Sequence, residues 1–96
     1  VKIKIKGFFD VGHALGDRAV LELELENSTI RGVLNELSER FGRKFRDLLF
    51  DPETAEVRTL NQILVNGRHY RYLEGRLDAP LKDEDVLAIF PPVAGG

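Results

Sequence analysis

The stretch PLKDEDVLAIFPPVAGG, Pro80 to Gly96, decides how the rest of the chain is read. Its middle alternates, with Leu87 and Ile89 on one face and Val86, Ala88 and Phe90 on the other, as a final strand does. Proline fixes φ and donates no amide hydrogen, so Pro91 and Pro92 should stop that strand and stiffen the exit from it. Val93, Ala94, Gly95 and Gly96 then form an arm with almost no side chain. A frayed terminus usually carries polar or charged residues, whereas this one shrinks toward its carboxylate. The arm therefore reads as a flexible working tail (93–96) on a folded unit (1–92).

Working outward, Val1, Ile3 and Ile5 alternate with Lys2, Lys4, Lys6 and Phe8, the pattern of a half-buried strand. Leu21, Leu23 and Leu25 alternate with Glu22, Glu24 and Glu26 in the same way, so the two segments suggest a hairpin. Its outer face would set lysines opposite glutamates, each pair contributing a few tenths of a kcal/mol to about 1. DVGHALGDR, between these strands, is expected as a loop. Ile30, Val33, Leu34, Leu37 and Phe41 form one helical stripe, which Ser28 or Thr29 can cap and Gly42 can end. Phe45, Leu48 and Leu49 predict a short continuing helix or packed segment, and DPETAEV an exposed turn. Ile63 to Val65 read as a short strand before the tight-turn pair Asn66-Gly67. EGRLDAPLKDED is a loop with room for one 3₁₀ turn.

Ninety-six residues make one domain that hides roughly 60 to 65% of its unfolded surface, enough for a single core. With 43% hydrophobic and 31% charged residues at net charge −2, the composition is that of a globule rather than a disordered chain. No apolar run reaches the roughly 18 residues of a membrane span, and VKIKIKGFF lacks a signal-type apolar region, so the expectation is a cytoplasmic protein without a membrane partner. Mild acidity argues against nucleic acid, including at GRHYRYLEGR, where basic charge is only local. The absence of cysteine removes thiolate nucleophiles and Cys-ligated metals. His13 and His69 are the only histidines and carry no metal site by themselves, while Asp83, Glu84 and Asp85 lack the spacing of a calcium loop. They read as a solvated turn. No nucleophile–base pattern or phosphate loop marks an independent catalytic site.

The order strand, strand, helix, strand or turn, strand, ending in PLKDEDVLAIFPPVAGG, resembles the ubiquitin-like β-grasp sulfur carriers of the MoaD and ThiS type, specifically the small subunit of molybdopterin synthase. ILVNGR and Phe8, with the loop ending at Gly16, extend the resemblance over nearly the whole chain. It implies an α+β fold, a mixed sheet of four to five strands packed on one main helix. It also implies a carrier rather than an enzyme, with no permanently bound cofactor. In the implied cycle an E1-like adenylyltransferase uses ATP to adenylate Gly96, sulfur displaces AMP to give a thiocarboxylate, and the large subunit of molybdopterin synthase or another sulfur acceptor enzyme receives it. The product would be molybdopterin for a molybdenum or tungsten cofactor. Two positions depart from the family pattern. Gly12 and His13 stand where relatives carry an Arg-Glu pair, whose role is not transferred, and Glu84 replaces a turn glycine. A retained positive φ at Glu84 would cost about 1 to 2 kcal/mol.

The tail suits that chemistry on its own terms. A terminal carboxyl with a pKa of roughly 3.3 to 3.7 is an anion at neutral pH and can attack the α-phosphorus of ATP. Adenylation then provides the leaving group that a carboxylate lacks. Gly95 and Gly96 present no β-carbon to a narrow channel, and the prolines lower the entropy lost on threading. Phe8, Phe90, Val86 and Ala88, on the outward side of two adjacent strands, are expected to form a partner surface beside the tail unless segment 43–58 covers them. Three other readings stand beside this one. They are a carrier for cysteine or thiamine synthesis, a ubiquitin-like modifier joined through Gly96 to lysines, and a plain interaction domain.

Overall fold

A computed structural model describes residues 1–26 and 28–92; Asn27 and the expected tail, Val93, Ala94, Gly95 and Gly96, lie outside the described residues. Five strands form one mixed sheet: β1 Lys2–Gly7, β2 Leu21–Glu24, β3 Gln62–Val65, β4 Arg68–His69 and β5 Val86–Phe90. Their spatial order is β2-β1-β5-β3-β4. β1 and β5 are parallel at the centre, and every other pairing is antiparallel. The first and last strands are therefore neighbours, as the resemblance implied.

β1 and β2 pair as the expected hairpin, Lys2 opposite Glu24 and Lys4 opposite Glu22. The ion pairs are not those directly opposite, however. Lys2 reaches diagonally to Glu22 at 4.0 Å and Lys4 to Glu84 at 3.7 Å. The side chains in both pairs are well exposed, so each pair contributes little.

The expected loop after β1 contains a one-turn helix, α1 Asp10–Ala14. It packs so closely on the end of β1 that a Cβ on Gly12 would stand 2.8 Å from the carbonyl oxygen of Gly7. A glycine-containing segment can thus approach backbone to backbone, and Val11 and Leu15 are buried in the process. Helical periodicity is invisible over a single turn.

The apolar stripe forms α2 Ile30–Phe41 as expected, with Thr29 Oγ1 accepting from the Gly32 amide at 3.1 Å and Gly42 at the C-cap with φ 82°. Ile30, Val33, Leu34 and Leu37 are wholly buried, while Phe41 at the end of the stripe is only half-buried. α3 Arg43–Leu49 follows directly and buries Phe45 and Leu49. These side chains meet Ile3, Ile5, Leu23, Ile63, Leu87 and Ile89 in one core. Each fully buried residue of this size stabilises the fold by about 1.5–3 kcal/mol. Asn61 is also buried; its Nδ2 donates to the Leu48 carbonyl at 2.9 Å, while its Oδ1 has no partner among the described residues.

Asn66 and Gly67 turn β3 into β4 with φ of 51° and 84°, the paired positive values of a two-residue hairpin turn. The single 3₁₀ turn expected within residues 74–85 is Arg76–Asp78, and a second, Tyr70–Tyr72, precedes that segment.

Candidate functional site at the end of the last strand

β5 lies between β1 and β3, so its end is held from both sides. Gly7 pairs with Ile89, the Phe8 amide donates to the Ile89 carbonyl at 3.0 Å, and Gln62 pairs with Phe90. Pro91 is buried and Pro92 exposed. The segment that leads to the tail thus emerges from the middle of the sheet, where the strand direction is over-determined by two ladders.

Phe8 and Phe90 stack with ring centroids 4.1 Å apart and planes 5° from parallel. They share the face opposite the helices with Val86 and Ala88, and all four are half-buried. Leu64, paired with Ala88, continues this apolar strip onto β3. α3, the first part of segment 43–58, packs on α2 and α1, where Phe45 and Leu49 are wholly buried. Two further apolar side chains flank the end of β5. Phe9, 72% exposed, follows Phe8 on the β1 side, and Leu60, 71% exposed, stands two residues before Gln62 on the β3 side. The sequence signals were a second phenylalanine that breaks the alternation and a leucine inside a turn. Neither signal is interpretable before the register is known. Phe9 also has φ 53°, a value bulky residues rarely adopt.

In the turn before β5, Glu84 has φ 71°. The turn takes a positive φ at a residue other than glycine and accepts the strain. Asp83 and Glu84 are exposed and Asp85 half-buried, a solvated turn as expected, and its aspartates also hold the turn in place. Asp83 Oδ1 accepts from the Lys2 amide at 2.7 Å. The Asp85 carboxylate accepts from the Lys82 amide at 2.7 Å and from Asn66 Nδ2 at 2.9 Å, while Asn66 Oδ1 accepts from the Val86 amide at 2.9 Å. These contacts set the starting point of β5 against both neighbours.

The histidines lie elsewhere. His13, on α1, contacts the Asp17 carboxylate. On β4, His69 Nδ1 accepts from the Arg71 amide at 3.1 Å; burial, followed by the Arg71 charge, lowers its pKa below 6.5. Among the described residues no cluster of three or more His, Asp or Glu could hold a metal ion, and no helix is long and apolar enough to cross a membrane.

A central parallel pair flanked by two hairpins, with a helix across one face, defines a ubiquitin-like β-grasp protein. The ThiS family profile matches residues 13–96, and the chain belongs to that family of ubiquitin-like sulfur carriers. It is 34% identical over 76 residues to a candidate sulfur carrier protein of Archaeoglobus fulgidus, covering 79% of this chain and 83% of the relative. It is 28% identical over 96 residues to small archaeal modifier protein 3 of Haloferax volcanii, covering 100% of both. Among solved structures, a candidate molybdopterin converting factor subunit 1 from Pyrococcus furiosus superposes with TM-score 0.72 at 34% identity, covering 97% of this chain and 99% of that one.

Proposed function

We propose that this chain is a sulfur carrier whose C-terminal carboxylate, at Gly96, is activated and thiolated for molybdopterin synthesis. The observation that carries the reading is the family match extending to residue 96, over a segment that leaves the centre of the sheet behind two prolines. In the first step a Gly96 carboxylate oxygen attacks the α-phosphorus of ATP and pyrophosphate leaves. Hydrosulfide then attacks the acyl carbon, AMP departs with the electrons of the broken C–O bond, the S–H proton passes to solvent, and a thiocarboxylate remains. The chain contributes an unhindered acyl carbon and a docking surface. An E1-like adenylyltransferase and the acceptor enzyme contribute the catalysis. The stacked Phe8 and Phe90, with Val86 and Ala88, are the proposed contact for both partners. Molybdopterin is favoured as the destination by the 34% identity to the Pyrococcus furiosus structure over almost the full length of both chains.

A second reading has its own support. The full-length match to small archaeal modifier protein 3 favours conjugation of Gly96 to lysines of other proteins. Both readings pass through the same adenylate, and they diverge only in whether sulfur or a lysine amine attacks it.

Incubation of the chain with its cognate E1-like enzyme, ATP and a sulfur source, followed by intact-mass measurement, should show the adenylate or the thiocarboxylate at the C-terminus. An unchanged mass rejects carrier and modifier together. Co-purification with a large synthase subunit favours molybdopterin, and isopeptide-linked conjugates in cells favour the modifier.

A further inference from the structure

β2 is the outermost strand of the sheet on its side, and the register fixes which of its groups face outward. The Leu25 amide donates to the Val1 carbonyl at 2.9 Å, and the Val1 amino group donates back to the Leu25 carbonyl, so Val1 and Leu25 exchange both bonds. In an antiparallel ladder such pairs alternate with pairs whose amides and carbonyls turn away from each other. Ile3–Leu23 and Ile5–Leu21 are therefore bonded pairs, whereas Glu22 and Glu24, opposite Lys4 and Lys2, direct their backbone groups to the open edge. No described residue bonds to those amides. The side chains of Glu22 and Glu24 are exposed, and Glu24 forms no ion pair among the described residues.

Such an edge selects its occupant by charge. A second copy laid antiparallel across Leu23 would set Glu22 opposite Glu24 twice over, and like charges directly opposite are destabilising. A strand with Lys or Arg opposite both glutamates would instead form two favourable cross-strand pairs on the open face. The residue between them, opposite Leu23, turns toward the face on which Leu23 is buried, so an apolar residue there matches its cross-strand neighbour. We propose that the free edge of β2 accepts an extended segment of a partner protein in which Lys or Arg alternates with apolar residues, added as a further strand. Phe8 follows β1, the neighbour of β2, and Phe90 lies one strand further on β5, whereas the free edge is the opposite side of β2, so the inference stands independently of the sulfur-transfer reading.

The test uses the full chain and two synthetic peptides, one alternating valine with lysine and one alternating valine with glutamate. Fluorescence anisotropy should give about tenfold tighter binding of the lysine peptide, and amide hydrogen exchange should slow at Glu22 and Glu24. A variant carrying Glu22→Lys and Glu24→Lys should reverse the preference. Because that variant crowds Lys2 and Lys4 and can fail to fold, the lysine peptide N-methylated at its lysine amides is the second arm, and it should not bind the unaltered chain. Failure of the lysine peptide to bind, equal affinity for both peptides, binding without protection at Glu22 and Glu24, or binding that survives N-methylation each overturns the proposal. A dimer of the unaltered chain that protects these same amides would make a second copy the occupant and overturn it as well.

Discussion

The two faces of β5 are almost equally apolar and meet opposite fates. Leu87 and Ile89 are wholly buried under the helices, whereas Val86, Ala88 and Phe90 stay half-buried on the outer face. β1 and β2 follow the usual rule for a sheet covered on one side and turn charged residues outward: Lys2, Lys4, Lys6, Glu22 and Glu24. The sheet departs from that rule in one region. Outward apolar residues gather on β5 and its immediate neighbours, beside the point where the chain leaves the fold. The enclosed core accounts for one face of β5 and not for the apolar character of the other.

The sharpest break in that symmetry is Ile89→Ala on the inner face, which should cost about 2–5 kcal/mol in chemical denaturation because the cavity is enclosed on all sides. A loss under about 1 kcal/mol would mean the inner face is not the closed core described. Gly12→Ala tests the closeness of α1 to β1 at the edge of the same core. Its Cβ would meet the Gly7 carbonyl oxygen at 2.8 Å, so one segment must shift, and a loss of about 1–3 kcal/mol is expected. Phe90→Ser on the outer face removes half-buried area and the stack on Phe8, a loss of about 1–2 kcal/mol that leaves the fold intact by circular dichroism. Its larger effect should fall on affinity for the activating enzyme, weakened about tenfold or more; combined replacement of Phe8 and Phe90 by Ser without any change in affinity would defeat the proposed docking surface.

Glu84→Gly should act in the opposite direction. Relief of the left-handed backbone is worth about 1–2 kcal/mol, offset by about 0.4–1 for the freer unfolded chain and a few tenths for the exposed pair with Lys4. A net gain of about 0.5 kcal/mol should appear as a higher melting temperature, and a loss would show that the Glu84 side chain matters more than its backbone. The smallest effect belongs to His69. Its pKa is lowered in the folded chain, so the unfolded chain binds the proton more readily. Its contribution is complete above pH 6.5 and declines as pH falls through and below that value. His69→Gln should flatten this part of the stability–pH profile slightly, and a steeper decline in the variant would contradict the assigned direction.

Much of the fold was legible in the residues. The α2 stripe from Ile30 to Phe41, the Lys–Glu hairpin, the Asn66-Gly67 turn and the final strand each carry a periodicity or a turn signal long enough to read locally. α1 was not legible, because one helical turn has no period and its placement depends on Gly12 meeting Gly7. The outer site was legible in part. Phe8 and Phe90 could be assigned to one face from alternation and strand adjacency, but their stacking depends on the parallel β1–β5 register. Phe9 and Leu60 acquire a place beside the end of β5 only through that same register.

Residue order alone carries the alternation of the strands, the apolar stripe and ends of α2, the Asn66-Gly67 turn and the family the chain resembles. These follow from local steric preference and hydrophobic period, which act over a few neighbouring residues. Tertiary pairing sets the positive φ of Glu84, the fastening of the start of β5 by Asp83, Asp85 and Asn66, and the turn of the Glu22 and Glu24 backbone groups to an open edge. Each of those depends on hydrogen bonds or their absence between strands distant in the chain, and no local rule contains that information.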